Sequence, residues 1–306
     1  MHDMLEVLYI NYMKYLSSSE VAKIMGCNES TIRRWADKGK ITCKKTVGGN
    51  RFFTVKDVRN CMKNSKSSQK SLSLNIKGNS LKKILGFIND SNFDKLKNIV
   101  VDEGIKSNDA VVSEIINSIY MRGDEVHNIF DNLIIPSILV VEKLLNQKKI
   151  THIEESVMRL LLTRNVENLC TNMPNGSFNG KNALCINFED NLPDIGVVMS
   201  EAVFRHNGFN VFNTGSLSKL GDIKTTIEKY NIDSILFYLC NMQCCNSVLS
   251  KNLPKTSARV IELCNFANSH NLKIYFGGEG LDLLNLDKSL ITNTFLSFDD
   301  LRKQII

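Results

Sequence analysis

The chain has 306 residues, 43% of them hydrophobic, which is apolar material for two or three ordinary cores. Its formal charge of +6 is unevenly placed: residues 14–70 carry fourteen Lys or Arg against four Asp or Glu, a local +10, whereas residues 71–306 sum to −2. That distribution excludes a uniformly basic protein and puts the phosphate-seeking charge in one small N-terminal domain.

The start, MHDMLEVLYINYMK, lacks the basic leader, long apolar run and small-residue cleavage site of a signal peptide. From Ser17 onward the parts of a DNA reader follow in order. Ser17 and Glu20 have capping-box spacing, which starts a helix that buries Val21, Ile24 and Met25. Gly26-Cys27-Asn28 supplies a turn. Asn28 is a suitable N-cap for a second, basic helix, in which Ile32 and Trp35 pack inward while Thr31, Arg33 and Arg34 face out. Gly48-Gly49-Asn50 predicts a hairpin between strands over Cys43–Val47 and Arg51–Val55. The first turns of such a second helix enter the major groove, where Arg forks onto guanine or phosphate, and Arg51 is placed for a backbone phosphate. The candidate DNA-binding set is therefore Thr31, Arg33, Arg34, Lys38, Asn50 and Arg51. A basic helical pair that binds protein is the competing reading.

Thr31-Ile32-Arg33-Arg34-Trp35, Gly39-Lys40-Ile41 and Gly48-Gly49-Asn50-Arg51-Phe52 bring turn, helix and wing in order at the right spacings. On these residues the stretch resembles the MerR and excisionase winged-helix families. The resemblance implies a winged helix-turn-helix that reads double-stranded DNA.

Residues 64–79 are polar and Ser/Lys-rich, and read as a linker. From 80 to 173 the apolar spacing is helical: Leu81, Ile84, Leu85 and Ile88 share a face, as do Phe93, Leu96, Ile99 and Val100, and as do Val111, Val112, Ile115, Ile116 and Ile119. Segments Val126–Asn146 and Ile153–Leu169 complete a bundle of four or five helices. The most apolar run, 133–145, contains Pro136, Glu142 and Lys143 and is too short to cross a bilayer. After Pro174-Asn175-Gly176 the pattern alternates: strands at Ala183–Phe188, Asn210–Phe212, Ser234–Cys240, Leu272–Phe276 and Thr294–Leu296, and helices at Ile195–His206, Ile223–Tyr230, Ser257–Ser269 and from Phe298. This argues for a flavodoxin-like, doubly wound parallel sheet, whose ligands sit beyond the carboxyl ends of the strands. The expected architecture is multidomain α plus α/β: a winged helix-turn-helix over 1–63, a linker over 64–79, a helical bundle over 80–173 and an α/β domain over 174–306.

This order of parts is similar to that of the B12-dependent, light-sensing repressors of carotenoid genes. The residues that carry the resemblance are Leu133-Ile134-Ile135-Pro136-Ser137-Ile138-Leu139, Lys149-Ile150-Thr151 with Glu154-Glu155, Asp194-Ile195-Gly196 and Gly277-Gly278-Glu279-Gly280. The resemblance implies a cobalamin pocket with a Trp over the upper face, a Glu-His pair on the next helix, and a lower axial His in a His-x-x-Gly loop. Here the Trp position is Leu145, Glu155 is followed by Ser156, and the position three before Gly196 is Pro193. Imidazole suits cobalt as a ligand, whereas leucine, serine and proline offer it nothing. Leu145, Glu155, Ser156, Pro193, Gly196, Gly277 and Gly278 are thus expected to form a vestigial cofactor pocket that holds no cobalamin. No cofactor is expected, with haem a second candidate for the same fold.

Nine cysteines in such a chain read as reduced thiols rather than a disulfide framework. Cys240, Cys244 and Cys245 cluster at a strand end, where they could bind zinc or haem or act as a thiol switch, but the spacing is not that of a zinc ribbon. His152 and His206 are candidate haem ligands or ordinary helix residues. Glu189, Asp190 and Asp194 form an acidic loop suited to a cation or to helix capping. Dinucleotide fingerprint, P-loop and nucleophile elbow are all missing, so no enzyme is expected and no metal site is assigned.

The expected protein is a soluble, cytoplasmic, sequence-specific transcriptional regulator that binds an operator as a homo-oligomer, with a protein partner or another ligand as a further option. The alternatives are a cobalamin- or haem-dependent light or redox sensor, a corrinoid carrier or methyl-transfer accessory, and an antirepressor whose former cofactor groove grips a protein. Salt dependence of DNA binding separates these classes.

Overall fold

A computed structural model describes residues 15–64, 79–172, 177–188, 194–215, 219–240 and 243–306, with the backbone alone for 63–64, 79–82, 171–172 and 243–251. The chain forms two compact units, one over residues 1–125 with 171–174, the other over 126–170 with 175–306.

The first unit begins with strand β1 (Leu16–Ser17) and helix α1 (Ser18–Ile24). The capping box read from the sequence is formed: Ser17 N–H donates to Glu20 Oε2 at 2.8 Å, and Glu20 N–H donates to Ser17 Oγ at 3.2 Å. Gly26 takes a left-handed φ of 59° in the turn. Helix α2 (Glu29–Asp37) starts at Asn28, whose backbone has the extended cap conformation but whose side chain makes no capping bond. Strands β2 (Lys44–Lys45) and β3 (Arg51–Phe53) form the wing, shorter than the sequence suggests because their pairing is confined to Lys44 with Phe52 and Lys45 with Arg51. β1 pairs with the other edge of β3. A further helix, α3 (Val55–Asn64), had no place in the sequence reading; Thr54 and Asp57 give it its own reciprocal cap. Val21, Ile32, Ile41, Phe53 and Val58 make the core of this head.

Helices α4 (Asn79–Asn89), α5 (Phe93–Ile105) and α6 (Asp109–Arg122) complete the first unit. α3 packs on α6 and is pinned there by Arg59. Its Nε donates to the Tyr120 carbonyl at 3.0 Å, and Nη2 donates to the Gly123 and Asp124 carbonyls at 3.0 and 2.6 Å. These carbonyls lie at and just beyond the helix C-terminus, so one buried guanidinium adds a second cap to the one that the Gly123 N–H makes to Tyr120.

The second unit opens with α7 (Val126–Ile129), a wider π-helical turn (Phe130–Ile134) and α8 (Ile135–Asn146). The uninterrupted helix expected over 126–146 thus contains a π segment, with Pro136 in the first turn of α8 directly after it. α9 (His152–Asn172) follows a Thr151–Glu154 capping box.

The sheet has β4 (Asn182–Ile186), β5 (Asn210–Asn213), β6 (Ser234–Tyr238), β7 (Lys273–Gly277) and β8 (Thr294–Phe295) in the order β5-β4-β6-β7-β8, every neighbour parallel. This is the flavodoxin-like order, as the alternating pattern implied. The connecting helices are α10 (Ile195–His206), α11 (Leu220–Tyr230), α12 (Gln243–Ser269) and α13 (Phe298–Ile305), with a 3-10 turn at Glu279–Leu284. α12 begins well before the expected Ser257 and runs through Pro254. Ile186, Ile235, Phe237, Val260, Leu263 and Phe276 are among the residues of a core between the sheet and its helices.

Candidate functional site

Two regions carry chemistry, one in each unit. In the head, α2 buries Ile32 completely and presents Arg33, Arg34 and Lys38 to solvent, with Thr31 half-buried. Arg33 Nε donates to Glu29 Oε1 one turn earlier at 3.1 Å. Both side chains are well exposed, so the pair is worth little and a phosphate can take Glu29's place. Asn50 is exposed in the wing, its N–H donating to Thr46 Oγ1 at 3.2 Å.

Arg51 lies differently from the free phosphate contact the sequence suggests. Its Nη2 donates to both carboxylate oxygens of Asp37, at 2.7 and 3.0 Å, while Lys45 Nζ reaches Asp37 Oδ1 at 3.1 Å. The Arg51 bonds and then the Lys45 bond hold the Asp37 carboxyl below the usual carboxylate range. Asp37 ends α2, so this cluster braces both wing strands against the helix that carries Arg33 and Arg34.

In the second unit, the carboxyl ends of β6, β7 and β8 form one edge of a cavity of about 550 Å³. Tyr238, Gly277 and Phe295 stand in register across the three strands. Tyr238 stacks on Phe298 at 6.3 Å between ring centroids, and Phe295 lies 6.2 Å from Tyr238 and 6.1 Å from Phe298. Gly196, in the first turn of α10, lies against this cluster: a Cβ there would overlap the Tyr238 ring, and one on Gly277 would overlap the Phe295 ring. Gly278 has φ of 92° and backs directly onto the Leu239 carbonyl, so no other residue fits.

Asp131, in the π turn, lines the same cavity. Its Oδ1 and Oδ2 accept the N–H groups of Phe298 and Asp299 at 2.8 and 3.0 Å, tying the turn to the start of α13. Burial pushes its carboxyl up despite those two bonds. Burial also raises the Tyr238 phenol, and the carboxylates of Asp194, Glu279 and Asp131 add to the effect. Asp194 caps α10 through Gly196 N–H at 2.8 Å and accepts from Asn187 Nδ2 at 3.0 Å; burial moves it to about 6.

Of the other sequence candidates, Leu145 is buried on α8. Glu155 is buried on α9 and accepts from Arg159 Nε at 3.1 Å, and Ser156 is exposed beside it with Oγ donating to Glu155 at 3.3 Å. Pro193, Glu189 and Asp190 lie outside the described residues, as do the side chains of Cys244 and Cys245 in the first turn of α12. Cys240 lines the cavity, and none of the described cysteines is joined in a disulfide. His152 is exposed and His206 half-buried; among the described residues no group of three His, Cys, Asp or Glu is arranged to hold a metal ion. Nor is any described helix long and apolar enough to cross a membrane. Asp131, Tyr238 and Phe298 belong to no motif of the sequence. The one local signal was an acid interrupting the apolar run from Ile129 to Ile135.

Residues 16–63 match the model of the MerR HTH family regulatory protein. No curated protein matches the chain. Among solved structures, the monomethylamine corrinoid protein of Methanosarcina barkeri is similar over 71% of this chain and 98% of its own, with 16% identity and a TM-score of 0.50. A cobalamin-binding protein from Desulfitobacterium hafniense covers 74% of this chain and 96% of its own at 16% identity, but its TM-score is only 0.32. At these identities the likeness concerns the fold. The chain therefore carries a MerR-family helix-turn-helix domain at its N-terminus, followed by a region with the fold of the B12-binding corrinoid proteins.

Proposed function

We propose that this protein is a sequence-specific DNA-binding transcription regulator whose corrinoid-like region works without cobalamin. The observation that carries the first half is the MerR-family head, with Arg33, Arg34 and Lys38 on the open face of α2 and a wing braced beside them. One such head covers few base pairs, so the operator is read by two or more copies, and self-association falls to the rest of the chain. A regulator of this kind works on cytoplasmic DNA, and the head favours this reading over that of an enzyme or a free-standing corrinoid carrier.

The second half rests on a misfit. A corrinoid tail needs room beside small residues at the strand ends, and here the space at Gly196 and Gly277 is filled by the chain's own Tyr238 and Phe295 rings. Leu145 and Ser156 add no nitrogen ligand for cobalt. The residues present do not fit the group, and no step of the regulator's action is drawn through it.

Two measurements test the two halves. Exchange of Arg33 and Arg34 together for Ala is expected to abolish the gel shift of operator DNA while leaving the thermal transition in place; unchanged affinity removes α2 as the reading helix. Purified protein incubated in the dark with adenosylcobalamin, then desalted, is expected to be colourless. A retained corrinoid spectrum overturns the cobalamin-free reading.

A further inference from the structure

The cavity at the ends of β6, β7 and β8 combines two features that a plain structural void lacks. Its floor is the aromatic cluster of Tyr238, Phe295 and Phe298, whose centroids lie 6.1–6.3 Å apart. Among the described residues, its rim carries the carboxylates of Asp131, Glu279 and Asp282 against one cation, Lys288. Three acids against one base give the site a negative potential, which disfavours anions. Asp131 sits half-buried on a π-helical turn, where a charge is less screened than one on the surface. The same rings that exclude a corrinoid tail thus leave behind a smaller compartment, of a volume suited to a small molecule.

We propose that this cavity binds a compact organic cation, an alkylated ammonium, with its apolar body against the ring cluster and Leu139 and its charge facing Asp131, Glu279 and Asp282. An alkylated ammonium sheds water more readily than a primary ammonium does, so its apolar body can lie against the ring cluster while its charge meets the carboxylates. A neutral ligand of the same shape gains the apolar contact but none of the attraction to the carboxylates. The inference deepens the reading that the corrinoid-like region serves a ligand other than cobalamin. It gives the regulator a small-molecule input beside Asp131, whose two oxygens hold the start of α13.

Choline and its uncharged isostere 3,3-dimethylbutan-1-ol separate charge recognition from mere filling of space. In calorimetric titration of the full chain, choline is expected to bind at least about tenfold tighter than the alcohol. Equal affinities, or no binding of choline at millimolar concentration, overturn the proposal. The doubly neutralised variant Glu279→Gln/Asp282→Asn changes exposed side chains and leaves the helix cap at Asp131 intact. It is expected to lose the preference for choline, and a preserved preference also overturns the proposal. Leu139→Trp at the half-exposed mouth is expected to block both probes. Cobalamin retention and operator binding are read separately, so failure of the cation site is distinguishable from failure of the cobalamin-free regulator.

Discussion

The guanidinium of Arg59 lies 4.4 Å over the Tyr120 ring while its Nε donates to the Tyr120 carbonyl at 3.0 Å. One side chain of the DNA-reading head thus grips both the face of an aromatic residue and the backbone end of α6. It also meets the Glu125 carboxylate at 3.3 Å. Within the first unit, the head is held through this contact as well as through the chain that links α3 to α4. Exchange of Arg59 for Ala removes the buried donor shared by three carbonyls and the Glu125 carboxylate, and is expected to cost about 3 kcal/mol in urea unfolding. Lys at the same position restores the charge but not the fork, so Arg59→Lys should recover less than half of the loss.

The wing brace gives a prediction about coupling. Arg51 and Asp37 act as a pair, so Arg51→Ala and Asp37→Ala are expected to lower operator affinity by similar factors, and the double variant to be no worse than either alone. Arg34→Ala, in contrast, removes an exposed cation, so it should reduce the slope of log affinity against log salt by about 1. Additive losses for Arg51 and Asp37 in the double variant, measured by fluorescence anisotropy, would mean that Arg51 contacts phosphate directly.

The head was legible in the sequence because each of its devices is local. Ser17 and Glu20 form their cap over three residues, Gly26 makes its turn alone, and Ile32 declares its face by helical spacing. The α/β order was legible for a similar reason: each strand is a short apolar run bounded by turn residues. What stayed hidden depends on distant partners. Arg51 could not be seen to turn toward Asp37, fourteen residues away, nor Arg59 toward a carbonyl 61 residues away. The chemistry of the cavity was equally hidden. Phe298 reads as the first residue of an amphipathic helix, and only the parallel register brings Tyr238, Gly277 and Phe295 into one row beside it. That positions 145 and 156 carry leucine and serine could be read directly, but the filling of the space beside Gly196 by the Tyr238 ring could not.

That filling makes a stability prediction at Gly196. Adding a methyl group there forces the Tyr238 ring off its seat between Gly196 and Phe298, and overpacking of this kind is expected to cost about 2 kcal/mol. Tyr238→Leu removes the ring and costs stability by itself, but combined with Gly196→Ala it should recover part of the loss. If the two substitutions prove additive, the ring and the glycine are not in contact in solution.

The pH dependence of the second unit should report Asp194. Its folded value of about 6 stands above the ordinary 3.8 because burial penalises the anion more than the Gly196 and Asn187 bonds favour it. A raised folded value means that the native state holds the proton more tightly than the unfolded chain. The stabilisation is fully present below about pH 4 and is lost as the pH rises through the folded value. Asp194→Asn keeps an acceptor for the Gly196 N–H but cannot ionise. Relative to the wild type, the Asn variant is therefore expected to gain stability between about pH 4 and pH 7, as measured by urea midpoints at constant ionic strength. A difference that stays constant across that range would place Asp194 in contact with water. The start of α10 would then be open at the point where Tyr238 now closes it, and the case against a corrinoid tail would weaken with it.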